Sequence, residues 1–546
     1  MPKVSTSPAP RSLSAPSADP SAAGVAPFDA VVVGGGINGA GIARDLAGRG
    51  ARVLLCEKED LAAHTSSSST KLIHGGLRYL EHYEFSLVRK ALAEREVLLR
   101  SAPHIMRPLR FVMPHDRAMR PAWMIRLGLF LYDHLARREV LAGSHGVTLR
   151  GGPLGAPLKP LFTRGFVYSD GWVDDARLVV LNALDAAERG AEVLTRWGCV
   201  DARRSATGWD VLLRSARGAQ RRVQARALVN AAGPWAGQFL ADHAHLPQAK
   251  TLRLVKGSHI VVPRRFDHDH AYILQNPDKR IIFMIPYERD FTLIGTTDVE
   301  HTGPIDQARI DEGEIDYLCA QASRYLATPV RPADVVWTYA GVRPLLDDDS
   351  GDPSAVTRDY ALDLDTQGAP LLTVWGGKLT TYRRLAEEAA ELLAPRLSIA
   401  RASWTANALL PGGDLSPWVG PPKRPDTDFA AFAQAFARAH PTLPAALCER
   451  LARAYGARAE QIFVTGADNG GLGAEVAPSL FEAELRYLHD HEWACSADDV
   501  LWRRSKLGLH LSAAQREAVA RWCGANWSDV AHGAVATAAS GEQRWN

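Results

Sequence analysis

Three glycines, Gly34, Gly36 and Gly39, stand at Gly-x-Gly-x-x-Gly spacing, and an acid, Glu57, follows just over twenty residues after the first. These residue types in this order can hold a dinucleotide. Gly34 permits a tight turn, Gly36 lets backbone approach a pyrophosphate, and Gly39 lets a helix pack closely on a strand. Ile37 and Asn38 fall where the helix begins, so their end of it offers free N–H groups and a partial positive charge to phosphates. Glu57 can accept both hydroxyls of a ribose. The pattern does not by itself choose between NAD and FAD.

Such a site needs a strand ending at the glycines, a helix after them and a second strand ending at the acid. The chain supplies all three: a buried apolar run over Phe28–Val33, a helix over 40–46, a turn at Gly48-Arg-Gly50 and a strand over 51–56. Further along, amphipathic helix is expected over 84–100, helix over 176–189, and strands over 192–195, 209–214 and 221–229. Alternating β pattern fills 250–345, with a hairpin gap at Tyr287-Glu-Arg-Asp-Phe291. A strand over 371–375 and a helix over 378–393 follow. After Pro395 the composition turns to alanine and arginine, and a separate helical domain is expected from about 400.

At 546 residues the chain is too long for a single core. It is 46% hydrophobic and 23% charged with a formal net charge of +2, a balance that argues against nucleic acid as main partner. Its six cysteines are scattered with no C-x-x-C pair, which reads as reduced thiols on the cytoplasmic side. No metal-ligand cluster and no Ser–His–Asp arrangement stands out. Nothing approaches the ~20 apolar residues of a membrane-spanning helix. Residues 1–27 are rich in Ser, Ala and Pro and are expected to be a disordered tail.

Beyond Glu57 comes Thr65-Ser-Ser-Ser-Ser-Thr70-Lys71, then Leu72-Ile-His74-Gly75-Gly76-Leu77-Arg78-Tyr79. Short hydroxyl side chains and open N–H groups suit the ribityl and pyrophosphate part of a flavin cofactor. With these motifs the chain resembles the FAD-dependent glycerol-3-phosphate dehydrogenases of the D-amino-acid-oxidase-like superfamily. The same is true of Trp172-Val-Asp-Asp-Ala-Arg-Leu178, Lys256-Gly-Ser-His-Ile-Val-Val-Pro263, Ile294-Gly-Thr-Thr-Asp298, Gly341-Val-Arg-Pro344 and Gly376-Gly-Lys-Leu-Thr-Thr-Tyr382. The resemblance runs from about residue 28 to about 510.

That resemblance implies an α/β fold: a Rossmann-like FAD-binding domain (about 28–100, 165–250 and 345–400) interleaved with an antiparallel β substrate domain (about 101–164 and 251–344), plus an all-α C-terminal domain over 401–546. It implies FAD as cofactor, bound by Gly34, Gly36, Ile37, Asn38, Gly39, Glu57, Thr65, Ser66, Ser69, Thr70, Lys71, Leu72, His74 and Gly75. The turn at Gly233 and the second glycine turn, Gly377-Lys378-Leu379-Thr380, complete the set. The implied reaction is hydride transfer from C2 of sn-glycerol 3-phosphate to flavin N5, giving dihydroxyacetone phosphate. Arg78 and Arg343 are the candidates for the phosphate, since a planar guanidinium matches its oxygens; Lys378 adds a point charge and Tyr79 a hydroxyl. His259 is the candidate base, because a neutral imidazole near pH 7 can accept the hydroxyl proton. His74 is placed by its loop at the flavin ring, and Arg343 can also steady the alkoxide.

The resemblance further implies that electrons pass to a membrane quinone and that the protein, expected to be a homodimer, is bound peripherally at the inner face of the cell membrane. Residues 119–135, apolar with a Trp and flanking arginines, read as core helix or as a surface meeting lipid headgroups. The basic start of the 378–393 helix, Lys378, Arg383 and Arg384, is a weaker hint of the same kind, and its apolar stripe reads as core packing. The alternatives are a glycerophosphate oxidase using O₂, an FAD-dependent amine or amino-acid oxidase in which Arg343 clamps a carboxylate, and a flavin-holding scaffold without turnover.

Overall fold

Buried apolar runs become the central strands of two sheets, and the glycine motif lies where one of these strands meets a helix. A computed structural model describes residues 26–116, 119–248, 250–278, 280–346, 359–464 and 468–527; the side chains of Arg78, Glu81 and His82 are outside that description, as are residues 1–25 of the expected tail over 1–27.

The first sheet carries five parallel strands in the order Leu371–Trp375, Gln220–Asn230, Phe28–Val33, Val53–Glu57 and Glu192–Thr195. Ala361–Asp365 is added antiparallel at one edge, and Trp197–Arg204 with Trp209–Ser215 branch from the outer half of Gln220–Asn230. Helices Ile37–Gly48, Asp175–Glu188 and Tyr382–Leu397 pack together over this sheet. Because parallel strands are covered on both faces, Phe28–Val33 and Val53–Glu57 read as continuous apolar runs. Tyr382, Leu385, Ala389 and Leu393 are buried in the same core, so that stripe packs inward.

The second sheet is almost wholly antiparallel, in the order Val299–Glu300, Leu252–Pro263, Phe291–Gly295, Ile281–Tyr287, Ala271–Gln275, Met106–His115, Arg164–Val173 and Leu72–Ile73. Trp337–Leu346 runs along the other side of Leu252–Pro263. Two segments sit differently from the sequence expectation. Arg164–Val173, grouped there with the nucleotide unit, pairs residue for residue with Met106–His115, and Leu72–Ile73 joins the same sheet. Both strands are buried along most of their length, and nothing local tells which sheet will bury them.

From about residue 400 the chain forms a helical unit with its own core around Phe432, Phe436, Leu451, Leu488 and Val519. The expected all-α character holds apart from one small ladder, Glu475–Ala477 with Leu480–Phe481.

Candidate functional site

The carboxyl ends of the parallel strands open into a cleft of about 650 Å³, where ligands bind in open α/β sheets. Gly34 turns the chain at φ +111°, and a Cβ there would meet the Ala231 carbonyl oxygen. At Gly39 a Cβ would fall on the Gly34 carbonyl oxygen, so only glycine lets the helix start this close to the strand. The Ile37 N–H, at the open helix end, donates to Ser66 Oγ at 3.0 Å. Asn38 donates to the Gly376 carbonyl at 3.1 Å, and its Oδ1 is buried with no hydrogen-bond partner.

Glu57 Oε2 accepts the Gly35 N–H at 2.6 Å and Oε1 accepts the Glu59 N–H at 2.9 Å. Burial pushes its carboxyl above the usual carboxylate range, and those N–H groups pull the other way. Thr65 Oγ1 donates to the Val342 carbonyl at 2.7 Å. Gly34, Gly36, Ile37, Asn38, Glu57, Thr65, Ser66, Gly233 and Gly377 therefore all border one cleft. Sequence reasoning missed part of its wall: His64 meets Trp235 edge-on at 4.7 Å, and Lys58 Nζ lies 4.0 Å from the Trp235 ring centroid. Trp235 stands two residues after Gly233 in the sequence, but nothing local says that two side chains from the Glu57 loop cover it.

Ser69 and Lys71 face away from the cleft. Lys71 Nζ lies 2.8 Å from Asp175 Oδ1, with both side chains buried, and Ser69 Oγ donates to Asp175 Oδ2 at 2.7 Å. Their side chains fasten the hydroxyl-rich loop to the Asp175–Glu188 helix. A buried lysine demands a counter-charge, and the adjacent acids Asp174 and Asp175 were the signal for it.

The other side of the loop borders a small cavity of about 100 Å³, lined by Leu72, His74, Tyr79, Asp170, Asp298 and Arg343 among others. Arg343 Nη2 donates to the Thr297 carbonyl at 2.6 Å and Nη1 pairs with Asp298 at 2.8 Å. Gly257 leaves room for this guanidinium, which a Cβ there would strike. The neighbouring Thr297 Oγ1 takes the Ser258 N–H and donates to Glu314 at 2.6 Å. Lys378 Nζ sits 4.1 Å from the Tyr79 ring centroid, a cation–π arrangement at the second glycine turn. Thr380 Oγ1 accepts the His74 N–H at 3.2 Å, and Leu379 packs at the edge of the main core. The side chain of Arg78, the other phosphate candidate, is outside the described residues.

His259 lies elsewhere. Neither cavity is lined by it; its Nε2 is 2.9 Å from Thr70 Oγ1, and its ring stacks on Tyr339 at 4.7 Å. Burial, then the positive charges of Lys71 and Arg343, hold its pKa well below 6.5, so it is neutral at physiological pH.

A family model described as FAD dependent oxidoreductase matches residues 29–383, and one described as the C-terminal domain of alpha-glycerophosphate oxidase matches 403–525. The aerobic glycerol-3-phosphate dehydrogenase of Escherichia coli is 52% identical over 497 residues, covering 90% of this chain and 97% of that one. The chain belongs to the FAD-dependent glycerol-3-phosphate dehydrogenase family. A D-erythritol 1-phosphate dehydrogenase of Brucella abortus is 51% identical over the same shares. The solved glycerol-3-phosphate dehydrogenase of Bacillus halodurans, complexed with FAD, superposes with a TM-score of 0.73 at 25% identity, over 92% of this chain and 91% of that one. FAD is the cofactor of this family member. The cleft fits it: three glycine approaches, an open helix end, an unpartnered Asn38 oxygen and an acid at the second strand are what a flavin dinucleotide needs.

Among the described residues no helix is long and apolar enough to cross a membrane and no group of metal-binding side chains occurs. The six cysteines are unpaired.

Proposed function

We propose that the protein oxidises sn-glycerol 3-phosphate to dihydroxyacetone phosphate. One observation carries the reading: His74, Tyr79 and Arg343 line a single cavity beside the FAD cleft, in a chain 52% identical to a glycerol-3-phosphate dehydrogenase. FAD, when bound, supplies the two-electron acceptor. Arg343 and Lys378 hold the phosphate dianion, Arg343 releasing Asp298 as the substrate enters. His74 takes the proton of the C2 hydroxyl while the hydrogen on carbon C2 leaves as hydride, because of the two candidate imidazoles it is the one on the cavity wall. His259, neutral and joined to Thr70, positions the loop. This reverses the weight that sequence reasoning put on the two histidines.

A four-carbon substrate is the second reading, favoured by the near-equal identity to the D-erythritol 1-phosphate enzyme. Anaerobic addition of each phosphate to the yellow protein decides between them. Glycerol 3-phosphate is expected to bleach the flavin band fastest, and no bleaching by either would end both readings. Reoxidation by a quinone analogue, expected to outpace O₂ without peroxide, separates a quinone reductase from an oxidase.

The quinone reading needs a membrane face, and the Ala122–His134 helix suits one. Ile125, Leu129 and Tyr132 point inward, while Trp123 is 66% exposed, Leu127 50% and Phe130 53% along the opposite side. Tyr83 and Phe85 are exposed on the segment that follows Leu77–His82, against which this helix packs. Exposed Arg89, Lys90 and Arg137 lie on neighbouring turns, a pattern suited to the interface of an anionic membrane. Arg383, by contrast, is taken up by Glu94 and Glu387, and Arg384 by Glu387 and Glu388. Flotation with anionic vesicles is expected to carry the protein upward, and Trp123→Asp to leave it in the soluble fraction. A homodimer at the cytoplasmic face completes the reading.

A further inference from the structure

The helix with the exposed apolar side also reaches the site from its buried side. Tyr132, 2% exposed, accepts the Gly75 N–H at 2.8 Å and donates its own hydrogen to Asp170, whose two oxygens lie 2.8 and 2.9 Å away. Asp170 is held from behind by Arg95 at 2.6 Å. Gly75 can come this close only because it lacks a Cβ, which would meet Leu92 and the Tyr132 hydroxyl. Its neighbour His74 is held from the other side by Thr380. The His74–Gly75 backbone is therefore clamped between two hydroxyls, one from the Ala122–His134 helix and one from the turn Leu379–Thr381. Without the Tyr132 oxygen, the buried Gly75 N–H would have only Asp170 Oδ1 at 3.4 Å, and Asp170 would lose a donor.

We propose that Tyr132 is a positioning residue for the reaction: its hydroxyl sets the His74–Gly75 backbone, and with it the His74 ring, at the substrate cavity. The proposal rests on the role given to His74 above, so its test includes a readout that needs no substrate.

The experiment compares FAD-loaded wild type and Tyr132→Phe, which keeps the ring and removes the oxygen. Hydrogen exchange over residues 72–80 is expected to be at least several-fold faster in the variant. The limiting rate of anaerobic flavin reduction by glycerol 3-phosphate is expected to fall about tenfold or more, with half-saturation within about twofold and FAD content unchanged. A merely structural role would lower the thermal midpoint or FAD content and leave the rate per bound FAD at its wild-type value. That result, or unchanged exchange over 72–80, overturns the proposal. If Tyr132→Phe fails to hold FAD, Asp170→Asn leaves the Tyr132 ring in place and is read by the same exchange measurement. Should wild-type flavin not respond to substrate, the functional reading fails while the exchange result still decides for or against Tyr132.

Discussion

His74 and His259 carry the same ring in opposite surroundings. His74 borders the cavity, whereas His259 is buried among Thr70, Tyr339 and two cations that disfavour its charged form. A general base contributes typically about 10²–10⁴-fold. His74→Asn should therefore slow flavin reduction by about that factor in rapid mixing, and His259→Asn by about tenfold. Equal losses would return the base role to His259. Arg343→Ala removes charge-assisted hydrogen bonds worth about 1.5–3 kcal/mol each, so kcat/KM should fall at least about tenfold, mostly through KM. At this scale the sequence named both histidines and the arginine as candidates. It could not rank two histidines, because their difference is in what strands and helices far along the chain bring beside them.

Helix starts and loops decide whether FAD is held at all. Gly39→Val would drive a branched side chain into the Gly34 carbonyl, and the expected outcome is a colourless protein by absorbance at the flavin band. Retained full FAD content would contradict the close approach of Gly39 to the Gly34 carbonyl. Asp175→Asn would leave Lys71 as a buried, uncompensated charge; such losses cost about 3–5 kcal/mol, visible as a lower urea midpoint with the hydroxyl-rich loop loosened. The unit from Phe28 to Glu57 was legible because its signals are local: an apolar run, three glycines and an acid. The helix beginning near residue 378 was legible too, although it forms as Tyr382–Leu397 after a tight turn at Leu379–Thr381. Strand partnership was not legible, as Arg164–Val173 shows.

Across the whole molecule, the nucleotide and C-terminal units are joined by ion pairs. Arg504 pairs with Asp60 at 2.7 Å, Arg196 with Asp499 at 2.6 Å, and Arg177 with Glu492. Burial favours protonated Asp499, but Arg196, Arg503 and Arg504 outweigh it and hold its pKa at about 2, below the unfolded 3.8. Its contribution, about 2 kcal/mol, is complete above about pH 4 and vanishes as pH falls toward 2. Asp499→Asn should therefore lower stability near neutrality and flatten the loss between about pH 4 and 2. Parallel wild-type and variant curves there would exclude Asp499 as the group responsible.

What the sequence alone determined is what neighbouring residues dictate: the glycine turn with its helix and acid, the alternating strands, the apolar helix with aromatic and basic flanks, and the family. Tertiary structure alone decided which strands share a sheet, that Lys71 is held by Asp175, which face of the 122–134 helix stays exposed, and which histidine borders the cavity. Those outcomes depend on contacts between segments far apart in the chain, or on which of two apolar sides finds a partner, and no local pattern of residue types carries that choice.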